Sequence, residues 1–225
     1  MTTRREFLLS SAAMLAAAGT GRARVGRLPL GFSTLGCPQW DLERVLDFAA
    51  SHGYASVELR GLQDQMDLTK HAEFAPARLA DLKRRLAERG LRVSCLGSSA
   101  HMHEMDASKH AAQLDEGRRF IDLAQALDAP YVRVFGDRYV EGVPKEEMRA
   151  KVARGLRELG DYARERGVTV VMESHGQFTD SPALREILER ADSPAVALLW
   201  DAHHTFVSGK EEPEHTVRQL GRWIR

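Results

Sequence analysis

Short apolar runs alternate with longer amphipathic stretches along most of the chain. The apolar runs cover residues 27–34, 54–59, 91–96, 131–135, 168–172 and 196–200, which predicts six buried strands. Apolar residues recur at helical spacing in segments 41–52, 76–89, 107–127, 145–166, 183–190 and 213–220. Residues 223–225 begin what we expect to be a seventh strand. The pattern is therefore a repeated strand, loop and helix.

This alternation predicts an α/β fold with a parallel sheet covered by helices. Right-handed crossovers then allow a closed (β/α)8 barrel or an open doubly wound sheet. The sequence contains neither a Gly-x-Gly-x-x-Gly motif after the first strand nor a P-loop motif. Regular unit length and polar residues at nearly every strand end favour the barrel.

The length of the chain limits how much of a barrel it can form. Eight units of roughly 32 residues would need roughly 256 residues, which is the usual size of this fold. The chain has 225 residues and ends as the seventh strand begins. We therefore expect residues 27–225 to form a truncated barrel domain, with about six βα units and the start of strand seven.

The N-terminus has the pattern of an export signal. Arg4 and Arg5 are followed by Glu-Phe-Leu, then by an alanine-rich apolar run over residues 9–18. Paired arginines before a short apolar run are typical of the twin-arginine route. We predict that residues 1–26 are a signal peptide and lead-in and that the protein is periplasmic or otherwise exported. The alternative is a fortuitous amphipathic N-terminus.

Charge and cysteine content exclude some classes of partner. The chain has 32 basic and 32 acidic residues, so its overall charge gives no reason to expect nucleic acid as a partner. It has no run of about 18 apolar residues, which argues against a membrane span after signal cleavage. Cys37 and Cys95 are predicted to be ordinary thiols. A homo-oligomer is compatible with this composition.

Carboxylates follow two neighbouring strands of the predicted barrel. Glu173 ends the fifth apolar run and Asp201 follows the sixth. Catalytic groups of barrels collect at the carboxyl ends of the strands. Two carboxylates in one pocket repel each other unless a cation lies between them, which predicts a divalent metal ion. The alternative is that each carboxylate pairs with a nearby arginine or caps the following helix.

Four other residues near strand ends are candidates for substrate binding. His204 lies three residues after Asp201, and His101 follows the third strand. Arg133 stands within an apolar strand, where it either binds an anionic or hydroxylated substrate or neutralises Glu173. Glu58 lies two residues before Arg60, so the two share one face of the second strand and could instead form an internal ion pair.

Four motifs together resemble the xylose isomerase-like TIM-barrel family of sugar phosphate isomerases and epimerases. They are Val57-Glu58-Leu59-Arg60-Gly61, Val132-Arg133-Val134-Phe135-Gly136, Val171-Met172-Glu173 and Trp200-Asp201-Ala202-His203-His204. The resemblance implies one divalent ion (Mn²⁺, Mg²⁺, Co²⁺ or Zn²⁺), with Glu173 as first ligand and Asp201 as second. It also implies that His204 lies at the substrate. The family's third and fourth ligands would fall after Arg225.

The resemblance implies a metal-dependent isomerase or epimerase that acts on a ketose or related polyol through an enediolate. Glu173 would be both a metal ligand and an acid/base catalyst. Alternatives are another metal-dependent reaction on the same barrel, such as a sugar lyase, dehydratase or glycoside-processing hydrolase, or a non-catalytic carbohydrate-binding remnant. Balanced charge argues against the DNA-processing members of the family.

Overall fold

The computed structural model describes residues 28–225, so the predicted export signal lies outside the described residues. Six strands are present: β1 Gly31–Ser33, β2 Ser56–Leu59, β3 Arg92–His101, β4 Tyr131–Phe135, β5 Thr169–Glu173 and β6 Val196–Leu199. The α-helices are α1 Leu42–Ser51, α2 Leu79–Glu88, α3 Ala107–Ala126, α4 Lys145–Arg164, α5 Ser181–Ala191, α6 Ala202–Val207 and α7 Pro213–Leu220. Short 3-10 turns at Thr34–Gly36, Leu68–Lys70, Ala72–Phe74 and Pro76–Arg78 complete the described elements.

The six strands form one parallel sheet in the order of the chain, from β1 to β6. A doubly wound sheet would reverse its strand order at a switch point. The unbroken order confirms the predicted α/β fold and selects the barrel-like arrangement over the doubly wound sheet. Beyond β6, Leu198 pairs in parallel with Ile224, as expected for the beginning of another strand.

Alternation along the strands separates two layers of the core. Val132 and Val134 of β4 face the helices and belong to the main core cluster. Cys95 and Val171 face the other side of the sheet, where they form a smaller cluster with Ala197. Side chains two residues apart share a face, so Arg133 and Glu173 also lie on this inner side. The inner side of the sheet therefore carries the candidate chemistry.

Aspartates begin four of the helices. The side chains of Asp41, Asp106, Asp180 and Asp201 each accept a hydrogen bond from a backbone N–H of the first helical turn. Such caps satisfy donors that have no partner within the helix, and they fix where each helix begins.

The structure corrects several predicted boundaries. β1 covers only Gly31–Ser33, and Leu28 and Leu30 before it are exposed. β3 continues to His101, which therefore ends the strand and does not lie in the loop after it. Its pairing with β4 is irregular between Gly97 and His101, which the short apolar pattern did not reveal. His203 and His204 lie in helix α6, where a loop was expected.

The length and hydropathy of the helices bear on whether any of them could span a membrane. Within residues 28–225, no helix is both long enough and apolar enough to cross a bilayer.

Candidate metal centre

Arg133 and Glu173 form an ion pair on neighbouring strands. Nε of Arg133 lies 3.0 Å from Oε2 of Glu173, and the two side chains are 4% and 15% exposed. Nη1 of Arg133 donates a 2.6 Å hydrogen bond to the carbonyl of Ser98. Burial lowers the pKa of Arg133, while Glu173 opposes that shift. Of the two roles considered for Arg133, the structure contains the pairing with Glu173.

Glu173, His175 and His204 bring three metal-binding groups together at the carboxyl end of the sheet. One donor atom from each lies within 4.8 Å of the other two. The rings of His175 and His204 meet edge to face with centroids 4.7 Å apart. Nδ1 of His175 is buried without a hydrogen-bond partner. One carboxylate and two imidazoles form a donor set suited to Zn²⁺, Mn²⁺ or Co²⁺.

Asp201 lies beside this group but is engaged differently. Its Oδ1 accepts hydrogen bonds from the backbone N–H groups of His203 at 2.8 Å and His204 at 3.2 Å. Its Oδ2 lies 3.8 Å from Nε2 of His204. Ser174 accepts a hydrogen bond from the Asp201 backbone N–H at 2.8 Å, which ties the ends of β5 and β6 together. One oxygen of Asp201 is therefore a helix cap, and the other faces the histidine of the donor group.

A second histidine group forms at the end of β3. Nε2 of His101 lies 3.1 Å from Oε1 of Glu104, and the His101 and His103 rings stack with centroids 4.6 Å apart. Nε of Arg138 donates a 3.0 Å hydrogen bond to Nε2 of His103. Burial, and then the charge of His101, lower the pKa of His103, whereas the hydrogen bond from His101 lowers the pKa of Glu104. His101 is thus held by its neighbours.

Asp137 connects the two histidine groups. Its Oδ1 lies 3.9 Å from Nδ1 of His175, and its Oδ2 lies 3.8 Å from Nδ1 of His103. Asp137 adopts a positive φ of 75°, and its carbonyl accepts a 2.8 Å hydrogen bond from the backbone of Gln177. A Cβ on Gly176 would come within 2.1 Å of that carbonyl. The loops after β4 and β5 therefore pack closely because residue 176 is glycine.

Glu58 faces the inner side of the sheet and is not a member of the donor group. It lines an open cavity of ≈ 370 Å³ together with Ser33, Ser56, Cys95 and Tyr131. Among residues 28–225, Glu58 forms no ion pair with Arg60, so the internal pair considered from the sequence is absent. Arg60 instead donates a long 3.5 Å hydrogen bond from Nη1 to the carbonyl of Gly97.

The parallel sheet and the donor group at its carboxyl edge define a barrel-type protein with a candidate metal site. Residues 46–224 match the model of the xylose isomerase-like TIM barrel family, and the chain belongs to that family. No curated protein sequence matches the chain.

Solved structures support the same fold. The probable 3-DHS dehydratase AsbF from Bacillus anthracis superposes with a TM-score of 0.73 at 16% identity, over 88% of this chain and 71% of that one. The IolI protein with a bound zinc atom superposes with a TM-score of 0.73 at 21% identity, over 88% of this chain and 70% of that one. D-psicose 3-epimerase in the presence of D-fructose superposes with a TM-score of 0.71 at 15% identity, over 86% of this chain and 70% of that one. At these identities the likeness concerns the fold.

Three residues of this region, His103, Asp137 and His175, were not predicted from the sequence as site residues. His175 stands two residues after Glu173, just beyond the end of β5. That Glu-x-His spacing was a usable signal. Asp137 and His103 had none, because their proximity depends on how three separate loops pack.

Proposed function

We propose that this protein is a divalent-metal-dependent isomerase or epimerase that acts on a ketose or a related polyol. The single observation that carries the proposal is the group of Glu173, His175 and His204 at the carboxyl end of the sheet. Catalytic groups of barrels lie at this edge. The solved relatives include a sugar epimerase and a zinc-containing protein, which supports both the substrate class and the metal.

These residues fit a divalent ion. His175 has a buried Nδ1 with no hydrogen-bond partner, and Asp137 lies 3.9 Å from that atom. A carboxylate beside a ligating histidine commonly orients its ring. We propose that Glu173, His175 and His204 hold the ion, with Asp201 beside them as a further oxygen ligand. A bound divalent ion would polarise the substrate's carbonyl and hydroxyl oxygens.

The chain's own residues then supply the proton transfer. Glu173 would accept the proton from the carbon next to the carbonyl, as the C–H electron pair forms a carbon–carbon double bond and the carbonyl π electrons move onto the oxygen to give an enediolate. Return of the proton to the former carbonyl carbon, with transfer of the hydroxyl proton between the two oxygens, gives isomerisation. Delivery of a proton by a second acid or by water to the opposite face of the original carbon gives epimerisation, and Glu173 then releases the first proton to solvent. Arg133 fixes the Glu173 carboxylate through the 3.0 Å ion pair.

The remaining substrate contacts are proposed from position. His101 ends β3 beside the site, Glu58 and Arg133 face the inner side of the sheet, and His204 lies within the donor group. Each offers a charged or hydrogen-bonding group to a hydroxylated substrate. These groups therefore suit a small sugar or polyol as the substrate.

Hydrogen exchange tests the proposed proton transfer on many sugars in parallel. The protein, loaded with Mn²⁺, is incubated in D₂O with a panel of aldoses and ketoses, and proton NMR follows the carbon next to the carbonyl. We expect deuterium incorporation that is lost in Glu173→Gln and retained in His203→Ala, because His203 is exposed and outside the donor group. Full exchange in Glu173→Gln contradicts the proposal.

A dehydratase is the second candidate, because the structure of a probable dehydratase superposes well. Removal of a proton next to a carbonyl also begins the elimination of water, so the same carboxylate serves both reactions. Product analysis in the exchange experiment distinguishes the two reactions. An isomer has the same mass as the substrate, whereas a dehydration product is lighter by one water molecule and has a conjugated double bond that absorbs ultraviolet light.

We also propose export by the twin-arginine route, on the basis of Arg4 and Arg5. Replacement of both arginines by lysine is expected to leave the protein in the cytoplasmic fraction of the cells that make it. Unchanged fractionation contradicts the proposal.

A further inference from the structure

Arg60 is a half-buried arginine without an ionic partner. Among residues 28–225 it forms no ion pair, and its only side-chain hydrogen bond is the 3.5 Å contact from Nη1 to Gly97. A guanidinium has five donor N–H groups and stays charged in proteins. Removing such a charge from water costs free energy unless an anion compensates it. Most of the donors of Arg60 therefore have no protein partner.

Gly97 lets Arg60 approach Arg133. A Cβ at residue 97 would lie 2.7 Å from Cδ of Arg60 and 3.0 Å from Nη2 of Arg133. The two arginine side chains therefore share the space above one glycine on the strand between them. Arg133 uses Nη1 for Ser98 and pairs Nε with Glu173, which leaves Nη2 without a protein acceptor among the described residues.

Arg133 is the charged neighbour with the largest effect on Arg60. Burial and then Arg133 lower the pKa of Arg60 to about 10, and Glu116, Glu58 and Glu173 oppose that shift. Glu173 is already paired with Arg133, and Glu116 accepts a 2.6 Å hydrogen bond from the backbone of Ser99. An additional anion between the two guanidinium groups would relieve their mutual repulsion.

We propose that the substrate carries an oxyanion group, a carboxylate or a phosphate, and that Arg60 binds it together with Nη2 of Arg133. This inference rests on the proposed function and narrows its substrate class to sugar acids or sugar phosphates. Arginine suits this task because its planar fork matches two oxygens of one anion. Glu173 is paired with Arg133, so the bound anion would lie beside the carboxylate that accepts the proton.

Arginine side-chain NMR tests the binding directly. The metal-loaded protein, labelled with ¹⁵N-arginine, is titrated with acetate or with inorganic phosphate, and chloride serves as the control at equal ionic strength. We expect saturable shifts of the Arg60 and Arg133 Nε–H signals with acetate or phosphate and none with chloride. Tighter binding of acetate identifies a sugar acid, and tighter binding of phosphate a sugar phosphate. Shifts that never saturate, or that chloride reproduces, overturn the inference.

Substitutions distinguish anion binding by Arg60 and Arg133 from non-specific attraction of anions to the positive charges of the protein. Arg60→Gln should weaken anion binding, read from the Arg133 signal, at least about tenfold, since it removes a charge-assisted bidentate contact. Gly97→Ala should also weaken it, because the new Cβ displaces Arg60. Arg218→Gln, at an exposed position of α7, is the matched control and should change nothing. Wild-type affinity in Arg60→Gln overturns the inference.

Binding of the divalent ion is measured separately by titration of the metal-free protein, and the anion titration is repeated on that metal-free protein. Retained metal binding without an anion response overturns this inference alone. An anion response in a protein that binds no divalent ion instead contradicts the proposed function.

Discussion

Nε of Arg133 lies 3.0 Å from Oε2 of Glu173, and both side chains are almost fully withdrawn from solvent. The pair joins β4 to β5 on the inner side of the sheet. It gives the central carboxylate of the candidate site a fixed position, and it makes that position dependent on one arginine.

Removing one partner of this pair should destabilise the fold. Arg133→Met is expected to lower the free energy of unfolding by about 3–5 kcal/mol, because it leaves the Glu173 charge buried and unpaired. The double variant Arg133→Met with Glu173→Gln should recover part of that loss. Urea denaturation of the two single variants and the double variant provides the measurement. Strictly additive losses would show that the pair is not energetically coupled.

His175 should contribute to metal binding. His175→Ala is expected to weaken Zn²⁺ or Co²⁺ binding at least about tenfold, as loss of a residue of a metal site commonly does. Isothermal titration with each ion provides the measurement. His203→Ala is the matched control, because His203 is exposed and lies outside the donor group. Equal affinities in the two variants would remove His175 from the proposed site.

Asp201 allows its helix-capping role to be separated from a metal-binding role. Asp201→Ala should lower the free energy of unfolding by about 1 kcal/mol through loss of the cap on α6. Asp201→Asn keeps an acceptor oxygen and should retain the stability, while losing the charge that attracts a cation. Thermal unfolding and metal titration of both variants are the measurements. Unchanged metal affinity in Asp201→Asn would leave Asp201 with the capping role alone.

Gly176 should tolerate no side chain. Gly176→Ala is expected to destabilise the protein by more than Gly142→Ala, although both glycines have a positive φ. A Cβ at residue 176 would collide with the Asp137 carbonyl, whereas residue 142 has no heavy atom within 4 Å of that position. The control should therefore lose only the conformational cost, about 1 kcal/mol. Urea denaturation of both variants provides the measurement. Equal losses of unfolding free energy would exclude the collision with the Asp137 carbonyl as the cause.

Cys95 should make the protein sensitive to alkaline pH. Burial raises the pKa of this thiol from 9.0 to about 12. Above pH 9 the unfolded chain loses a proton that the native protein keeps, so the stabilisation present below pH 9 is lost as the pH rises towards 12. Cys95→Ala should flatten this decline in the free energy of unfolding. A decline as steep as that of the wild type contradicts the assignment.

The sequence determined the order of the elements and the side on which the chemistry lies. Arg133 stands within one predicted strand and Glu173 at the end of the next, and the apolar runs located β4 and β5 closely. These features are local, because they depend on periodicities of two and 3.6 residues. The strand-end position of Glu173 and Asp201 was readable for the same reason.

Only the tertiary structure decided which of these groups meet. In the structure one Asp201 oxygen caps the N-terminus of α6, His175 and His204 lie beside Glu173, and Arg60 does not form the ion pair with Glu58 that was one of two alternatives. Such pairings depend on loop packing and on strand irregularities such as that in β3, which no local pattern records. Periodicity assigns a side chain to a face, but contact between charged groups depends on distances of a few ångströms set by the whole fold.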